Sequence, residues 1–167
     1  IDVILVRAST ALNSLSITVS NNGGTGRVTV NNLNVAGKIA LVRGMGVDLD
    51  GDMVLTGRVG ALRLRTIDGG TARLTGAGAI QALDVANYNL NSTAGLGILT
   101  ANRFSNVTLN APTLSAVRAL RSSDLGQAGD IRDCSFTLTS RFGTAKTGLG
   151  TLTAHGTVED SVFNVLE

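Results

Sequence analysis

A six-residue phrase with apolar residues at its first, fourth and sixth places returns along this chain. That return constrains the fold more than any single motif does. In Val59-Gly60-Ala61-Leu62-Arg63-Leu64 the three places hold Val59, Leu62 and Leu64. They come back as Ile80, Leu83 and Val85, then as Leu96, Leu99 and Ala101, then as Leu114, Val117 and Ala119. Ile131, Cys134 and Phe136 follow, and then Leu149, Leu152 and Ala154. Leu12 and Ile39 start two earlier copies, which makes eight anchors at a mean spacing of roughly twenty residues. Self-similarity at so short a period marks a solenoid, in which each repeat packs on its neighbours.

The phrase also separates inside from outside. Its fourth place reads Leu15, Val42, Leu62, Leu83, Leu99, Val117, Cys134, Leu152. The place after it reads Ser16, Arg43, Arg63, Asp84, Thr100, Arg118, Ser135, Thr153. Successive residues of a strand point to opposite faces, so one column is core and the next is surface. Further apolar groups lie between the anchors: Val47 and Leu49, Tyr88 and Leu90, Val107 and Leu109, Leu138, and Val162. The pattern predicts an all-β, single-stranded, right-handed parallel β-helix of about eight coils. It spans residues 1–167 as one domain.

Local signals agree. Alternation of Ile1, Val3 and Leu5 predicts a first strand, and N-N-G-G-T-G at 21–26 predicts a loop. Gly60, Gly97 and Gly150 after the anchor predict a bend or bulge. Over 113–125 a short helix capped by Thr113 competes with the strand reading. Thirteen asparagines, among them Asn87, Asn91, Asn106 and Asn110, are expected to form side-chain amide ladders at the turns.

Composition bounds the function. Twenty-one glycines against one proline place the turns on Gly, Asn and Asp, which tolerate positive φ. A net charge of +2 gives no reason to expect a nucleic-acid or membrane-surface partner. No apolar run approaches the roughly 18 residues of a membrane span. One cysteine excludes an internal disulfide framework and a cysteine zinc site. The chain opens in a strand without Met, so the expectation is a fragment of a longer solenoid. Leu166-Glu167 has the look of a cloning remnant.

Asp48, Asp50 and Asp52 form the one acidic cluster. Alternate spacing would set their carboxylates on one side of an extended segment, able to converge weakly on calcium. An EF-hand loop would need Gly and Glu where Met53 and Val59 stand, so the expected affinity is weak or nil. A glycosidase would need two carboxylates roughly 5–10 Å apart, and Asp48 with Asp50 supplies the pair. No Trp and a single Tyr leave little for sugar stacking. Asp84 is expected to form a surface ion pair with Arg63, one coil away. His155 and Cys134 offer no nucleophile arrangement, because Cys134 falls in the core column and His155 at the rim.

The repeated φ-G-x-L-x-φ lines resemble the right-handed parallel β-helices of large bacterial secreted and cell-surface proteins, such as adhesin and autotransporter-passenger stalks. The resemblance implies a structural or adhesive role outside the cell without catalysis or cofactor. Its implied partners are the chain itself end to end, flanking coils of a parent protein, and surface polysaccharide. Two alternatives stand beside it. One is a carbohydrate-active β-helix with its site near Asp48–Asp52 and calcium. The other is a self-assembling cytoplasmic filament module similar to the bactofilins, which share the short coil and poverty of aromatics.

Overall fold

The computed structural model describes residues 1–7, 13–20, 24–122, 128–139 and 148–166. The chain enters in β1 (Val3–Arg7), then forms β2 (Ser14–Ser16), β3 (Val28–Ala36), β4 (Ile39–Leu55) and β5 (Val59–Leu74). It continues through β6 (Ala77–Gln81), β7 (Asp84–Ser92), β8 (Leu96–Ala101), β9 (Arg103–Ala111) and β10 (Leu114–Ala119). The last turns are β11 (Asp130–Arg132), β12 (Ser135–Leu138), β13 (Leu149–Ala154), β14 (Val158–Glu159) and β15 (Val162–Val165). All pairings among these strands are parallel, and the sheet wraps most of the way round one axis. The fold is all-β and solenoid-like.

Three ladders make three faces. On the first, Ile39, Val59, Ala77, Leu96, Leu114 and Leu149 pair in succession. On the second, Val30, Leu49, Ile67, Val85, Phe104, Ile131 and Val158 do so. On the third the line runs Ile4, Leu33, Met53, Ala72, Leu90, Leu109, Phe136, Phe163. The long strands β4 and β5 cross all three faces, bending between them. Rungs sit about 4.8 Å apart, so like stacks on like. Phe136 and Phe163 show it directly, their rings parallel with centroids 4.8 Å apart.

The core is one column of Leu, Val, Ile and Ala, with Tyr88, Phe104 and Phe136 as its largest buried members. No polar or charged residue is fully buried among the described residues. Burying one such aliphatic side chain contributes roughly 1.5–3 kcal/mol. Tyr88 pairs with Gly70 in the ladder, and its hydroxyl donates to the Gly51 carbonyl at 3.1 Å.

Register departs from expectation in two places. Ile80 pairs with Leu62, so Ala77 is the true anchor and Leu83 stands half-buried at a corner. Ile131 starts no rung of the first face. It lies beside Phe104 on the second face: ten residues separate β10 from β11, where one separates β8 from β9. Leu114 therefore pairs with Leu149, thirty-five residues on. The regular series of eight first-face anchors is replaced by these ladders. Residues 114–119 are strand rather than helix. Leu12, residues 21–23 of the glycine loop, 123–127 and Glu167 lie outside the described residues.

Candidate functional site

The turn between the second and third faces is built from residues that accept a left-handed backbone. Its successive occupants are Gly69, Asn87, Asn106, Asp133 and Asp160, with φ of 56°, 49°, 53°, 52° and 46°. Asn and Asp tolerate this conformation better than other side chains because their short polar groups bond locally. The amides also bond between rungs. Asn106 Nδ2 donates to Asn87 Oδ1 at 3.0 Å, and Asn87 Nδ2 to Asp68 Oδ1 at 2.9 Å. On the third face Asn110 Nδ2 donates to Asn91 Oδ1 at 3.0 Å. The asparagine ladders expected at the turns are present.

The structure places Asp48 and Asp50 on the second face and Asp52 on the third, beyond a bend at Gly51. Asp48 accepts from the Arg65 guanidinium and from the Thr66 hydroxyl at 2.7 Å on the next rung. Asp52 accepts the Thr71 backbone N–H at 2.9 Å. These carboxylates tie one rung to the next. Among the described residues no three His, Cys, Asp or Glu side chains are grouped to hold a metal ion.

Asp50 stands beside Asp68 in the ladder, and further along this face charges of opposite sign meet. Arg103 lies between Asp84 and Asp130 in the ladder, with its Nε 3.5 Å from Asp84. Arg132 contacts Asp130 at 3.4 Å and Glu159 at 3.5 Å. The Thr157 N–H and hydroxyl, with Arg132 and Arg103, hold the Asp130 carboxyl below the usual carboxylate range despite some desolvation. Asp84 thus pairs with Arg103 and not with Arg63, whose ladder partner is Gln81. The corrected register moves Asp84 to another face.

Cys134 is buried, as its apolar surroundings predict, but at the start of the third face beside Val107. Burial pushes its thiol pKa up, and Sγ donates to the Arg132 carbonyl at 3.0 Å. His155 is exposed and accepts the Arg121 N–H at Nδ1. Burial, with a smaller contribution from Asp52, raises the Tyr88 hydroxyl pKa well above its ordinary value. None of these groups faces a second reactive side chain among the described contacts.

The first face differs. Its second place is Ala40, Gly60, Gly78, Gly97, Ser115 and Gly150, and a Cβ on each of these glycines would strike the carbonyl oxygen of the rung before it. The stretches that form this face (39–44, 59–64, 77–81, 96–101, 114–119 and 149–154) contain no Asp or Glu. Arg43 pairs directly with Arg63, and Lys38 and Arg58 precede the paired Ile39 and Val59. An open depression of about 480 Å³ lies between Lys38 and Arg58 over Ala40, Gly60 and Gly78. The outward column was readable in the sequence as polar. Its single sign was not, because the misplaced Asp84 stood in it.

No protein-family model, curated protein or solved structure matches the chain.

Proposed function

We propose that this chain is a structural, adhesive segment of a right-handed β-solenoid belonging to an extracellular or cell-surface bacterial protein, with no catalysis and no cofactor. The carrying observation is the use made of its carboxylates. Asp48, Asp52, Asp68 and Asp130 each bond to the next rung, which stiffens a rod and leaves them engaged. Right-handed winding follows the strong preference of parallel crossover connections. In the alternative, carbohydrate-active reading, Asp48 and Asp50 would act as an acid pair or, with Asp52, bind calcium.

Association through the ends also belongs to this reading. In the middle rungs the outward third-face column is polar, as at Asp52, Thr71, Asn89 and Thr108. At its two ends it holds Val3 and Val162, each about half exposed. Continuing the register sets Val3 of a second copy beside Val162 and Ile4 beside Phe163. Flanking coils of a longer parent protein would cover the same edges, and a filament of the bactofilin kind would use them repeatedly. Light scattering across a concentration series tests the association. The mass is expected to rise with concentration and to stay monomeric in Val3→Lys/Val162→Lys. A wild type that remains monomeric throughout would overturn it.

A further inference from the structure

We infer that the first face is a binding surface for a linear, carboxylate-bearing polysaccharide lying along the solenoid axis. This deepens the adhesive reading and rests on it. The argument starts from a conflict in the ladder. Like charges on directly paired residues repel and cost stability unless something neutralises them. Arg43 and Arg63 are so paired, and Lys38 and Arg58 stand one residue before another pair. All four are exposed, and among the described residues none forms an ion pair. The neighbouring second face, where it pairs Asp50 with Asp68, gives Asp68 the Asn87 amide as a donor, and further along it alternates Asp84, Arg103 and Asp130. The first face has no acidic residue with which to do so. Its counter-charge is therefore supplied from outside.

The shape and the neutral groups name the chemistry. Beside Lys38 and Arg58 lies the floor of Ala40, Gly60 and Gly78, which lets a flat chain approach the backbone. Arg43 and Arg63 stand three residues beyond Ala40 and Gly60 in their strands. The column that holds Arg43 and Arg63 continues as Gln81, Thr100, Arg118 and Thr153, and starts at Ser16. It mixes guanidinium with hydroxyl and amide groups, one per rung of about 4.8 Å. One sugar unit of an extended polysaccharide advances by a similar distance. Carboxylates would meet arginines, which are suited to fork-like pairing, and sugar hydroxyls would meet Gln81, Thr100 and Thr153. A nucleic acid fits less well. The first-face strands carry no aromatic side chain on which bases could stack, and the neutral rungs interrupt the run of cations that a phosphate backbone would use.

Fluorescence polarisation of labelled polygalacturonate with the full chain at low salt tests this. Arg43→Gln/Arg63→Gln is compared with Arg73→Gln/Arg103→Gln, which removes the same charge from the other two faces. All four positions are exposed, and a cooperative melt checks that each variant is folded. Binding is expected to weaken at least tenfold in the first variant, to change less than twofold in the second, and to be lost with a neutral glucan. Equal weakening in both variants, equal binding of the neutral glucan, no binding by the wild type, or tighter binding of a thymidine oligonucleotide would each overturn the inference. The same samples are assayed for chain cleavage. Cleavage with arginine-dependent binding would support the face and overturn the non-catalytic role. Absent binding without cleavage would overturn the face alone.

Discussion

The first and second faces are built on one set of parallel rungs, yet they manage charge in opposite ways. On the second, Asp84, Arg103 and Asp130 alternate up the ladder and Arg132 meets Glu159 on the next rung, while Asp68, paired with Asp50, takes the Asn87 amide. On the first, arginine sits on arginine above a floor nearly bare of side chains. Stacking at a fixed spacing amplifies whichever choice a column makes. A favourable pair is repeated, and so is an unfavourable one. The proposed scaffold and binding faces can therefore share one fold, because the outward columns change while the core column stays apolar.

The largest expected effect breaks the floor itself. Gly97→Ala sets a Cβ against the Gly78 carbonyl, and the rungs can give way only by parting. The expected loss is about 1–3 kcal/mol, the usual cost of overpacking. On the second face Ser105→Ala should stay within roughly 0.5 kcal/mol, as surface changes do. Denaturant midpoints measure both. An equal, small effect at the two positions would mean that the first-face rungs are not in close backbone contact.

Next in size is the turn that closes the second face. Asn106 holds φ at 53° and bonds to Asn87. Asn106→Ala keeps a Cβ in a region disfavoured by roughly 1–2 kcal/mol and removes the amide. Asn106→Gly frees the backbone and loses only the amide, so about half of that loss should be recovered. If both variants fall equally, the side-chain ladder and not the backbone holds the turn.

How much of this could be read beforehand depended on the side chains. The alternation of Leu62 with Arg63 was readable because strand period reports in and out directly. The Asn and Gly turns were readable because few residues accept positive φ. Ala77 was missed as an anchor because a methyl group carries little hydrophobic signal beside Ile80. Ile131 was misassigned because β10 and β11 stand ten residues apart, so that a second-face residue falls where the mean spacing expects a first-face anchor. Each slip moved residues to another face. The charge asymmetry, which needs true register, stayed hidden while Asp84 was counted beside Arg63.

The smallest effect is the most direct test of the comparison. One substitution, Arg to Glu, should have opposite signs on the two faces. Arg63→Glu places a carboxylate beside Arg43 and turns a repulsive rung pair into an attractive one. Arg103→Glu places a carboxylate between Asp84 and Asp130 and turns two attractive neighbours into repulsive ones. Arg103 is about half exposed, so each change is worth only a few tenths of a kcal/mol, within the roughly 0.2–1 range of cross-strand pairs. At low ionic strength Arg63→Glu is expected to melt slightly above the wild type and Arg103→Glu slightly below it. Raising salt to about 1 M shortens the screening length to roughly 3 Å and should bring the three together. A gap that persists in high salt would assign the effect to packing. Two shifts of the same sign would show that the faces do not differ in their handling of charge.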